Sequence, residues 1–218
     1  MLLYTRKLLS AFEKAKAIKE HKKLYIHVQD RIPVSVEDVL WVIEDMTGIS
    51  IKKYEVTTIS EIAYVRGILE RNQNKTARIL IRSNQSDDWK RYTCVKELSH
   101  IAVDEVEDLS VFGEETIAKM IDAKTIERFS DENGNATDKG IKVPDNEIQS
   151  EEIAEIIAIE IMYPHEFREN DLAQLKVGKA TIASLALYYK LPGIIIQRAL
   201  GIHYRDLANK MWEKLKSN

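Results

Sequence analysis

The sequence predicts an α+β fold: a small, mostly antiparallel sheet packed on helices, followed by a helical C-terminal tail. Two patterns point there. Apolar residues recur at helical spacing on both sides of residues 49–82, a stretch rich instead in β-branched and aromatic side chains. From Ala180 onward only helical patterns occur. With 44% hydrophobic residues and only 8 glycines and 4 prolines among 218 residues, the chain can bury a sizeable core.

The elements follow in order. Leu3, Leu8, Leu9, Phe12, Ala15 and Ile18 form one stripe, so Leu2 to His21 reads as a helix lying on a core, and a short extended piece over Lys23 to Val28 comes next. A second helix should start at Ser35, which with Asp38 three residues on resembles a capping box. It should end at Gly48, suited to the left-handed position after a helix. ISIKKYEV, IAYVRGILE and ARILIR then read as strands, with Asn72 to Thr76 as a turn. Trp89 to Val103 is helical again.

Residues 104–150 are expected to form a long acidic insertion around a helix near Glu114 to Phe129. Between 101 and 150 there are thirteen Asp and Glu against five Lys and Arg. Glu151 to Met162 is apolar on most sides and reads as a buried helix ending at Pro164. TIASLALYYKL, PGIIIQRALG and YRDLANKMWEKLK follow as short helices. The expected organisation is a lead-in over 1–34, a main domain over 35–164 and a helical subdomain over 165–218.

Composition narrows the function classes. The longest apolar run falls far short of the roughly 20 residues that cross a bilayer, so no membrane partner is expected. The N-terminus does not read as a signal peptide, and the single Cys94 permits no intrachain disulfide, which together lead to a cytoplasmic expectation. The net charge of -3 and the absence of a concentrated basic face argue against nucleic acid as a partner. Lys14, Lys16, Lys19, Lys22 and Lys23 read as the solvated side of an amphipathic helix.

The chemistry-bearing string is Lys96, Glu97, Leu98, Ser99, His100 within RYTCVKELSHIAV. It departs from the zinc-peptidase motif HExxH at its first position. There, two histidines four residues apart, about 6 Å along a helix, reach one metal, and the adjacent glutamate activates the bound water. The surroundings resemble the ImmA/IrrE family of metallopeptidases. The chain has ARILIRSN at 77–84, then Arg91, Tyr92, Thr93, Glu97, Leu98 and His100. It continues with Glu151, Ala154, Ala158, Ile161, Met162 and Pro164, and a C-terminal IASLALYYKLPGIIIQRALG like the family's.

That resemblance, over residues 35–205, implies a zincin-like domain with Glu97 as general base and with His100 and Glu151 as zinc ligands, Glu152 being the alternative to Glu151. It also implies action on a protein partner such as a helix-turn-helix transcriptional repressor, in bacterial or phage regulation.

Lys96 puts the metal in question, because an ammonium offers no lone pair and repels a dication. The leading expectation is a homologue impaired in zinc binding and catalysis that binds a protein partner, with the Lys96 ammonium standing where the metal charge would be and pairing with Glu97 or Glu151. The alternatives are an active zinc-dependent endopeptidase cleaving a repressor, and a DNA-binding module through the C-terminal helices. His21, His27, His165 and His203 are not expected to fill the vacant ligand position. Cys94 reads as a small core residue rather than a nucleophile. Tyr188, Tyr189 and Trp212 read as packing residues, and Ile182 to Leu200 as a helix–turn–helix layout that packs rather than reads DNA.

Overall fold

A computed structural model describes residues 2–21, 33–57, 65–72, 74–103 and 145–217. Among them are eight helices and one three-stranded sheet. Helix α1 (Leu2–Glu20) buries Leu8, Ala11, Phe12, Ala15 and Ile18, the i, i+3, i+4 stripe that its sequence spells out. Helix α2 (Val36–Thr47) is fixed at both ends. Ser35 Oγ accepts from the Asp38 amide at 3.3 Å, and Gly48 at φ +66° sends its N–H to the Glu44 carbonyl at 2.8 Å.

The sheet holds β1 (Ser50–Val56), β2 (Gly67–Asn72) and β3 (Thr76–Arg82) in the order β1-β3-β2. It is mixed, not mostly antiparallel. β3 pairs antiparallel with β2 but parallel with β1, from Ser50 opposite Thr76 to Val56 opposite Arg82. The chain reverses direction between β1 and β2, and again at the turn into β3. Had the strands lain in sequence order, both pairs would be antiparallel. Because β3 inserts between β1 and β2, two strands running the same way become neighbours. Side-chain alternation reports which face is buried, here Ala77, Ile79 and Ile81 of β3, and is blind to this insertion.

Helix α3 (Asp87–Val103) lies against β3, β2 and α2, and also packs along α4 (Asp145–Met162). The α4 helix starts six residues ahead of the Glu151 boundary expected from sequence, so Asp145 to Ser150 belong to it and not to the acidic insertion. The expected helix near Glu114 to Phe129 and the extended piece over Lys23 to Val28 lie outside the described residues.

Pro164 then serves as the N-cap of α5 (His165–Lys176), a helix that the sequence reading left out. Three helices complete the chain: α6 (Ile182–Tyr189), α7 (Gly193–Leu200) and α8 (Ile202–Ser217). α8 returns to α1, where Trp212 meets Phe12 edge-on with ring centroids 5.6 Å apart. No described helix is long and apolar enough to cross a membrane.

Candidate functional site

The α3–α4 contact brings the sequence-predicted residues together. Lys96, Glu97 and His100 share one turn of α3, and on that helix only about 6 Å of rise separates Lys96 from His100. Glu151 comes to them from the second turn of α4. The Lys96 Nζ lies 2.5 Å from Glu151 Oε2 and 3.6 Å from Glu97 Oε1, so the ammonium is shared by both carboxylates. His100 is held from both sides of its ring. Nε2 is 3.3 Å from Glu151 Oε1, and Nδ1 is 3.2 Å from Ser150 Oγ. Ser150 and Glu151 are consecutive, so one turn of α4 addresses both ring nitrogens and the lysine.

β2 supports the site from below. The Arg71 guanidinium donates to the His100 carbonyl. Gly67 permits the close approach, since a Cβ there would fall 2.5 Å from Thr93 Cγ2 and 3.4 Å from Glu97 Cγ. Neither contribution is visible in the motif. A glycine opening a strand ahead of a helical motif is the one signal that could have drawn attention to it.

Burial and charge set the protonation states. Glu97 and His100 are 7% and 6% exposed, so their charges and dipoles are screened little by water. Burial disfavours the Lys96 ammonium, but Glu151 and Glu97 outweigh it and raise its pKa above the ordinary lysine value. Burial would likewise raise the Glu151 carboxyl, yet Lys96 and His100 hold it well below the usual carboxylate range. The Lys96 cation therefore faces the Glu151 anion at neutral pH.

This donor set does not fit a zinc ion of the HExxH kind. The position that would offer the first imidazole lone pair presents a protonated amine to the carboxylate that would be the third ligand. Among the described residues no group of three or more His, Cys, Asp and Glu side chains is arranged to hold a metal. His21 pairs with Asp45 at 3.0 Å, His165 stacks on Trp212, and His203 is exposed at the start of α8, so none of the three stands beside Lys96. His27 lies outside the described residues.

Cys94, on the same helix, is 1% exposed, and burial pushes its thiol up to about 12, which leaves it a protonated core residue at neutral pH. Tyr189 and Trp212 do more than pack. Tyr189 donates to Asp171 at 2.7 Å and Trp212 to Glu160 at 3.0 Å, within buried polar clusters that the sequence reading missed. In the helix–turn–helix layout, Ile195 and Ile196 of α7 are buried, while Gln197 and Arg198 face outward. Arg198 is tied to Glu155 of α4 at 2.5 Å. Comparison with known protein families, curated proteins and solved structures finds no match.

Proposed function

We infer that the chain is a zincin-like metallopeptidase homologue in which an ammonium has replaced the metal, and that it acts by binding a protein partner and not by hydrolysis. The partner implied by the resemblance is a helix-turn-helix transcriptional regulator. The observation that carries the reading is the placement of Lys96 Nζ between Glu151 and Glu97, at 2.5 and 3.6 Å. Those two carboxylates are the ones to which the family resemblance assigns metal binding and the activation of water. With the ammonium between them, one positive charge is shared by both carboxylates without a Lewis acid, and neither is free to work as a general base on a metal-bound water.

The test is metal content. Protein purified without added metal should hold far less than one zinc per chain, whereas Lys96→His should take up zinc, because His100 and Glu151 already converge on the vacated point. Near-stoichiometric zinc in the unaltered chain would overturn this reading in favour of an active zinc endopeptidase. Failure of Lys96→His to take up zinc would show that the site has drifted beyond the motif.

A further inference from the structure

The sheet has a second face, turned away from α2 and α3. Directly opposite residues in a ladder share a face, so the register sorts the side chains. Ile51, Ala77, Ile79 and Ile81 lie on the covered face, as does Gly67, where a Cβ would meet Thr93 and Glu97 of α3. The other face carries rows that run across β1, β3 and β2. In the middle row, Tyr54, Leu80 and Ile68 stand side by side, Tyr54 42% exposed and the two aliphatic residues partly buried. Lys52, Arg78 and Glu70 form the row on one side of them, and Val56 with Arg82 the row on the other.

The charge on this face is positive. Glu70 is the one carboxylate among its strand residues, and Arg78 takes it up at 2.6 Å. Lys52 and Arg82 remain. Lys52 is exposed and takes part in no ion pair among the described residues, whereas Lys53, on the covered face, meets Glu37 of α2. Arg82 has a second guanidinium for a neighbour. Its amide donates to the carbonyl of Arg66, whose side chain lies over the Trp89 ring at 3.7 Å with Asp88 close by.

We propose that this face of the sheet is a docking surface for one amphipathic helix of a protein partner, with an apolar stripe flanked at both ends by acidic residues. The proposal rests on the reading that the chain binds a protein partner, and it names the part of that partner that is held. Width sets the element: the outer strands are about 10 Å apart, the diameter of one helix, and the covered face already seats α3 in this way. Length sets the spacing of the acids. Arg78 and Arg82 are four residues apart, about 13 Å along β3, which corresponds to about nine residues of helix. Tyr54, Leu80 and Ile68 contribute by leaving water, while the cations at the two ends select the sign and the register of the partner. A single-stranded nucleic acid would stack successive bases on aromatic rings, and these rows offer one ring, Tyr54.

The experiment uses the full chain and a fluorescein-labelled synthetic helical peptide about four turns long, with a central leucine stripe and glutamates about nine residues apart at its ends. Its controls are the same peptide with lysine for glutamate, a peptide of the same composition with the glutamates at the centre of the stripe, and a labelled DNA single strand. The acid-ended peptide should raise the anisotropy and bind more tightly than all three. Tyr54→Ser should weaken it by about tenfold, and Lys52→Glu by several-fold while improving binding of the lysine peptide, with circular dichroism showing both variants folded.

Absence of binding by the acid-ended peptide, equal binding of the lysine or rearranged peptide, or unchanged affinity in Tyr54→Ser would overturn the proposal. Preferential binding of the DNA strand would overturn it and mark a nucleic-acid surface. A dimer in sedimentation that Tyr54→Ser dissolves would overturn it in favour of a second copy of this chain. The zinc result at Lys96 is read separately: a chain that holds zinc and still binds the acid-ended peptide fails the functional reading and keeps this one.

Discussion

Helix α4 carries a glutamate near each end, Glu151 and Glu160, and the two are treated in opposite ways. Glu160 is 0% exposed, and its carboxylate accepts from Arg168 at 2.7 Å, Tyr204 at 2.9 Å and Trp212 at 3.0 Å. Arg168 also donates to the Tyr163 carbonyl at 3.0 Å, so its guanidinium meets carbonyls at the C-terminal end of α4, where the helix dipole favours a cation. Nearby, Asp171 accepts from Tyr163 and Tyr189 at 2.9 and 2.7 Å.

At the other end, the Glu151 side chain is 28% exposed and divides itself between Lys96 and His100. The comparison separates a role in holding helices from a role in presenting charge. The Glu160 cluster is dry, fully paired and joins α4, α5 and α8 in one arrangement. The Glu151 cluster keeps an opening to solvent and shares its carboxylate between two partners of α3.

The largest effect should come from breaking the dry cluster. Arg168→Met takes the paired cation from the buried Glu160 side chain and removes donors from the helix end, which should cost about 3–5 kcal/mol in chemical denaturation at neutral pH. A loss below about 1 kcal/mol would show that the Arg168–Glu160 pair does not hold these helices together, and the contrast between the two ends of α4 would fail.

Lys96→Met should cost less, about 2–3 kcal/mol, because water reaches the Glu151 side chain and can relax around it. Its pH dependence is specific. The Glu151 carboxyl is depressed in the folded protein from an ordinary value of 4.5, so its contribution is complete above that pH and is lost as the pH falls below it. Lys96 has a raised pKa, so its contribution is complete below 10.5 and disappears only above it. The gap between the unaltered chain and Lys96→Met should therefore be flat between about pH 6 and 9 and narrow on acidification below about pH 4.5.

The two ends of α4 were also unequally legible in the sequence. Lys96, Glu97 and His100 could be picked out because the chemistry they resemble demands particular residues at helical spacing, and that spacing carries over directly into space, whereas Glu151 came only from the family resemblance. The Glu160 cluster could not, since Arg168, Tyr204 and Trp212 meet it from separate helices with no short-range period. One signal was there: a glutamate in the apolar run IIAIEIM must find a partner if the run is buried.

Helix α5 was missed for the same reason. HEFRENDLAQLK looks like a polar connection, yet the side chains it buries are Arg168 and Asp171, charged groups satisfied only by tertiary contacts. The sheet shows the third limit, because alternation fixed the buried face of β3 while strand order decided which pairing was parallel.

An ion pair outside both clusters sharpens the comparison at its weak end. Lys53 Nζ and Glu37 Oε1 are 3.0 Å apart, as close as many buried pairs, but their side chains are 35% and 73% exposed. Distance alone would rank this pair near the others. Solvent screening ranks it last, since water competes for both charges and the side-chain entropy lost in pairing offsets much of the attraction. Lys53→Met should change stability by no more than about 0.5 kcal/mol, and 1 M salt should erase the difference while leaving the Arg168→Met loss largely intact. If Lys53→Met costs as much as Lys96→Met, then proximity and not burial separates these sites, and the division between the two ends of α4 would need another cause.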